Sequence, residues 1–172
     1  MNTGAKPLRR ALGTFVTGVT IITTVDPDGR KNIGVTANSF NSLSLDPPMV
    51  LWSLARNAYS MPAFQAAERF VVHVLAADQI SLSERFAAKG TDKFAGLPHD
   101  VSPEGLPLLR HCLARFECRK ALTHDGGDHL IFVGEVERFE HAEGAPLTYY
   151  GGRYAQLQIG EAADLLLAMQ SW

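Results

Sequence analysis

What this sequence lacks narrows the field first. Cys112 and Cys118 are its two cysteines, too few for a disulfide framework and without the spacing of a metal site. They read as reduced thiols of a cytoplasmic protein, with a single surface disulfide as the open alternative. A basic excess is missing as well. Sixteen Lys and Arg against eighteen Asp and Glu leave a net charge of −2, which argues against nucleic acid or an anionic membrane as partner. Apolar runs reach only about six residues, well short of the roughly 20 that span a bilayer. The first ten residues, MNTGAKPLRR, are polar and carry no signal-peptide core. The expectation is a soluble, cytoplasmic protein.

Several chemical signatures are absent too. No GxGxxG follows a predicted strand and no GxxxxGK[ST] occurs, so neither a Rossmann nucleotide site nor a P-loop is supported. HExxH and GxSxG are also missing. The six histidines are scattered. His124 and His129, with Asp125 and Asp128 around one turn, could be read as a metal cluster, against the plainer reading of a solvated hairpin tip. His73 lies in an apolar strand and reads as a satisfied core or interface histidine.

What is present is a chain of 172 residues with 46% hydrophobic and 20% charged residues. That length fits one domain able to bury a core without staples; we read 1–160 as the domain and 161–172 as a terminal helix. Helices are predicted over 7–15, 59–67 (Ser60 as N-cap) and 78–89 (Asp78 as cap). The last, 161–172, carries an apolar stripe at 162, 165, 166, 169 and 172 and is placed on the barrel or across a dimer interface.

Strands are predicted over 19–25, 31–37, 49–54, 70–76, 114–122, 129–141, 147–150 and 154–159, rich in β-branched residues. Asp26-Pro27-Asp28-Gly29 and THDGGD (123–128) read as hairpin turns. Asp46-Pro47-Pro48 is a structural stop. The small and hydroxylated Thr36, Ala37, Asn38 and Ser39 read either as an ordinary polar crossing or as backbone that lies close against something flat and polar, while 91–109 reads as a long loop, a lid or a dimer contact. Hairpin-linked strands with few helices disfavour a parallel sheet and favour a closed antiparallel barrel.

Five segments resemble the flavin reductase family that serves two-component monooxygenases: TGVTIITT, TANSFNSLSLDPPMVL, SERFA with DKFAG, GGDHLIFVGEVE and PLTYYGGRYAQL. They fall in that family's order and spacing across roughly residues 8–157. The resemblance implies a six-stranded antiparallel split β-barrel of Greek-key type with peripheral helices, working as a homodimer. It implies non-covalent FMN or FAD, reduced by NADH or NADPH, and a separate monooxygenase that receives the reduced flavin.

It also implies site residues. Gly34, Val35, Thr36, Ala37, Asn38 and Ser39, with Ser53, Leu54 and Ala55, would line the flavin ring and ribityl. Small side chains let a backbone approach a planar ring, and backbone N–H donors aimed at developing negative charge stabilise it by oxyanion-hole logic. Tyr59, Ser60, Ser83, Arg85 and Phe86 would form the phosphate and ribityl end, with Lys93 a weaker candidate. His129, in the GDH segment, would be the catalytic-site residue that positions the nicotinamide and helps settle charge on the reduced flavin. Tyr154, with Tyr150 beside it, would stack on the nicotinamide or cover the pocket, or else close the barrel. FMN versus FAD is left open. NADH is the expected donor, with Arg56 or Arg153 the guesses for a 2′-phosphate contact. The competing readings are a flavin-retaining oxidase of the pyridoxamine-phosphate type and a non-enzymatic flavin-binding barrel.

Overall fold

The computed structural model describes residues 4–90 and 92–158. The predicted 161–172 helix and the end of the 154–159 strand lie outside the described residues. In chain order the elements are α1 (Ala5–Leu12), β1 (Thr17–Gly18), β2 (Thr20–Val25), β3 (Asn32–Ala37), β4 (Asn41–Leu45), β5 (Pro48–Ala55) and α2 (Met61–Ala66). They continue with β6 (Arg69–Val74), α3 (Ile80–Ala87), β7 (His99–Val101), β8 (Pro107–Leu109), β9 (Ala114–Gly126), β10 (His129–His141), β11 (Thr148–Tyr150) and β12 (Arg153–Ala155).

The main sheet is antiparallel and has seven strands in the order β3-β2-β6-β9-β10-β5-β4. The expected six-strand count is therefore corrected. The extra strand is β4, which the polar composition of 38–45 disguised. It lies at the sheet edge with Asn41, Ser42, Leu43 and Leu45 exposed, where polar residues meet water without penalty. Among the described residues no ladder joins β3 to β4, so the sheet does not close by strand pairing. Ser39 spans the gap instead. Its Oγ donates to the Ser53 carbonyl at 2.9 Å and accepts the Ser53 N–H at 3.0 Å.

Local chemistry sets the turns. Asp26 Oδ1 accepts the backbone N–H groups of Arg30 and Lys31 at 2.7 and 3.1 Å, and Gly29 takes φ +67°. The β9–β10 turn is tighter than expected. β9 runs to Gly126 and β10 resumes at His129, leaving Gly127, at φ +73°, and Asp128 as a two-residue connection. Segment 91–109 is not all loop: β7 and β8 pair within it as a short hairpin. Helix α3 starts at Ile80, and Gln79 rather than Asp78 holds its entry, with Oε1 accepting the Ala76 N–H at 3.0 Å.

One core packs on one face of the sheet. Trp52 is fully buried, stacks on Phe132 at 4.7 Å, and meets Phe64 and Phe70 edge-on. Gly134 is required there, because a Cβ would lie 2.5 Å from Phe70 Cζ and 2.9 Å from Cys118 Cβ. A second core packs α3 and the 94–109 region against the other face through Ile21, Leu75, Phe86 and Phe94. His73 is fully buried on the side of the second core. Its Nε2 accepts the Leu109 N–H at 3.1 Å, so its proton sits on Nδ1 and is donated to the Ile21 carbonyl. Burial pushes its pKa down to about 3. It is a satisfied core histidine.

Candidate active site

A cleft of about 730 Å³ opens along β3. Its long wall is a sheet edge: β2 pairs with one side of β3, and among the described residues no strand pairs with the other. Backbone N–H and C=O groups on that side need partners from elsewhere. Facing them are the end of β5, the turn after it, and the start of β10. The loop after α3 forms one end. Ligand pockets fall in the range of about 300–1,000 Å³, and this cleft lies inside it.

Of the expected residues, Gly34, Val35, Thr36, Ala37, Asn38 and Ser39 line the cleft from β3 and the residues after it. Ser53, Leu54, Ala55, Tyr59 and Ser60 line it from β5 and the following turn, and His129 from β10. The ladder sets His129 directly opposite Ala55. Tyr59 is 87% exposed at the rim, whereas Ser60 is buried and makes no side-chain cap to α2. His129 is part-exposed, and its Nδ1 is 2.7 Å from the Asp128 carboxylate. The same contact holds the Asp128 carboxyl below its ordinary pKa.

The other four expected residues do not line the cleft. Ser83 is fully buried, with its Oγ accepting the Tyr154 hydroxyl at 2.9 Å and its carbonyl accepting Thr36 Oγ1 at 2.6 Å. Those bonds leave Ser83 and Tyr154 fastening α3 to β3 and β12. Phe86 is fully buried and meets Phe94 edge-on at 5.1 Å. Arg85 donates Nε to the Lys93 carbonyl at 2.7 Å and Nη2 to the Ala95 carbonyl, pinning the loop after α3. All four rested on motif position, which carries no information on which way a side chain of α3 or β12 points.

Gly34 has a second reason beside its place in the cleft. Its missing Cβ would fall 2.3 Å from Cε1 of Phe86, so glycine is required by the packing of α3 onto β3. The cations of the cleft are Lys89 and Lys93. Lys93 Nζ donates to the Phe86 and Gly34 carbonyls at 2.5 and 3.1 Å, tying the loop to the β3 edge. Burial lowers its pKa below the ordinary lysine value. Lys89, Gly90 and Asn57 also line the cleft and escaped the sequence reading. The small and basic AAKG stretch at 87–90 was the available signal.

Neither cysteine is poised to react. Both are free, and burial pushes Cys112 up to about 11 and Cys118 to about 12. Among the described residues no three His, Cys, Asp or Glu side chains converge as a metal set. No helix among them is long and apolar enough to cross a membrane.

An open strand edge beside a histidine and two lysines admits several ligands, and comparison with known proteins decides among families. The flavin reductase like domain matches residues 12–158. The chain belongs to that family. It is 49% identical over 152 residues to FMN reductase (NADH) SmoA of Agrobacterium fabrum, covering 88% of this chain and 86% of that protein. It is 42% identical to the flavin-dependent monooxygenase reductase subunit HsaB of Rhodococcus jostii, covering 87% and 76%. Among solved structures it resembles the NADH:FAD oxidoreductase SgcE6 of Streptomyces globisporus, in complex with NAD and FAD fragments. The TM-score is 0.84 at 36% identity, covering 90% of this chain and 93% of that one. The mainly β fold of this flavin reductase agrees with that likeness.

Proposed function

We propose that this flavin reductase uses NADH to reduce free FMN or FAD and hands the product to a separate flavin-dependent monooxygenase. The observation that carries the reading is the cleft itself, with the unpaired β3 edge on one wall and His129 on the other. A flavin presents a flat ring with hydrogen-bonding groups along its rim. Gly34, Thr36, Ala37, Asn38 and Ser39 are small, and an unpaired strand edge offers the N–H and C=O groups that such a rim needs. The residues therefore fit the group.

When bound, the flavin supplies the ring that accepts hydride from the nicotinamide. The protein supplies positions and charges. Backbone N–H groups of 34–39 would stabilise negative charge on the reduced ring, each worth up to about 3 kcal/mol. Lys89 and Lys93 would hold the phosphate end, and Ser60 would add a hydroxyl donor there. His129 would position the nicotinamide carboxamide; hydride transfer asks no general base of it.

The reading extends to assembly. Leu43 and Leu45 on the β4 edge are 49% and 80% exposed, and Phe139 is 69% exposed beside the stacked rings of Phe116 and Phe40. An apolar surface of that kind suits a second copy of the chain, giving a homodimer whose curled sheets are read as split barrels. A cytoplasmic setting agrees with two free thiols. Arg56 and Arg153 do not line the cleft, which favours NADH over a 2′-phosphorylated donor.

Aerobic NADH oxidation, with and without added FMN, FAD or riboflavin, tests the reading. Turnover that depends on added flavin supports it and names the preferred flavin. Flavin binding without consumption of NADH or NADPH would refute it.

A further inference from the structure

The hairpin that carries His129 projects beyond its neighbours. Residues 122–128 are exposed, and β5, the strand beside β10, ends at Ala55 opposite His129. Arg56, the next residue, reaches across to the tip. Its backbone N–H donates to the Asp128 carbonyl at 2.9 Å. Its Nε donates to the Gly127 carbonyl at 2.9 Å, and its Nη2 pairs with the Asp125 carboxylate. Asp128 in turn accepts from Nδ1 of His129. The guanidinium thus holds the β9 side of the turn through Asp125 and Gly127, while the Arg56 backbone holds Asp128.

We infer that Arg56 is a positioning residue for the nicotinamide side of the cleft, acting through the Asp125–Asp128 tip on His129. This rests on the reading of His129 given above. With Gly127 and Asp125 held, the Asp128 carboxylate stays where it accepts the hydrogen bond of Nδ1–H, the tautomer of the neutral imidazole whose Nε2 is an acceptor. A carboxamide N–H₂ of a nicotinamide is the donor such an acceptor suits. The planar fork of arginine makes both contacts at once; lysine can supply the charge but not the second directed donor. Arg56 is therefore committed within the protein and is not a phosphate ligand.

The test is a cycle on the full-length protein: Arg56→Ala, Arg56→Lys, His129→Ala, and Arg56→Ala combined with His129→Ala. KM and kcat for NADH are read at saturating flavin, and flavin Kd is read by fluorescence titration. Arg56→Ala should raise the NADH KM roughly three- to five-fold, the scale of an exposed charge pair, while flavin Kd stays unchanged. Arg56→Lys should fall between wild type and Arg56→Ala. In the His129→Ala background, Arg56→Ala should add nothing further.

An unchanged NADH KM in Arg56→Ala would overturn the inference. So would an equal rise in flavin Kd, or the same increment with and without His129, because a merely structural contact behaves that way. If His129→Ala itself leaves the NADH KM unchanged, the reading of His129 fails and this inference with it. If His129→Ala raises KM while Arg56→Ala does not, only the role of Arg56 fails.

Discussion

Adding one methyl group at Gly34 probes the contact on which one end of the cleft depends. The alanine Cβ would sit 2.3 Å from Cε1 and 2.5 Å from Cδ1 of Phe86, far inside van der Waals contact. Phe86 is fully buried between Gly34 and Phe94, so the ring can yield only by moving α3 away from β3. Overpacking of this kind costs about 1–3 kcal/mol. For a chain of this size that lowers Tm by about 2–12 °C, measured at fixed protein concentration.

The displacement should also reach the cleft. Lys93 Nζ is anchored on the carbonyls of both Phe86 and Gly34, and a shift of α3 pulls those anchors apart. Flavin Kd in Gly34→Ala should therefore rise together with the loss of stability. Phe86→Leu removes Cε1, the nearer clashing atom, and leaves a side chain that can rotate its Cδ methyls away, so the double variant should recover part of both losses. Undiminished stability in Gly34→Ala would refute the packing argument. Loss of flavin binding with normal stability, unrelieved by Phe86→Leu, would return Gly34 to the role of admitting the flavin ring directly.

Two further perturbations follow from the core. His73 is neutral in the fold, with its pKa pushed down to about 3, below the roughly 6.5 of an unfolded histidine. The unfolded chain binds the extra proton between those values, so His73 contributes stability that is present above pH 6.5 and lost as pH falls. The slope is about 1.4 kcal/mol per pH unit. Urea unfolding from pH 7 to 5 should show a shallower decline in His73→Gln than in wild type, and parallel declines would sink the assignment. Gly134→Ala drives a methyl into Phe70 and Cys118 and should cost about 1–3 kcal/mol or more, read as a lower urea midpoint. An unshifted midpoint would mean that β10 relaxes freely there.

The sequence alone determined what short-range chemistry controls. Asp26 to Gly29 could be read as a turn because an aspartate side chain and a positive-φ glycine satisfy the backbone locally. The β-branched run 19–25 could be read as a strand for a similar reason, and His73 as a core residue from its apolar neighbours. The cleft wall at 34–39 and 53–55 was legible through the motifs shared with the flavin reductases, and the small residues from Thr36 to Ser39 are the local part of that signal.

Tertiary structure alone decided the rest. β4 alternates Ser42, Leu43, Ser44 and Leu45, but both leucines stay exposed in this chain, so no core burial marks the strand and pairing with β5 creates it. The β7–β8 hairpin at 99–109 is likewise held by the second core beneath it. Ser83, Arg85 and Phe86 share one short motif, yet one bonds Tyr154, one pins the following loop and one fills the space beneath Gly34. Direction of that kind comes from which face of α3 meets β3, a contact between residues some 50 positions apart. The grip of Arg56 on the tip before His129 spans a longer separation still, and no local pattern in the chain encodes it.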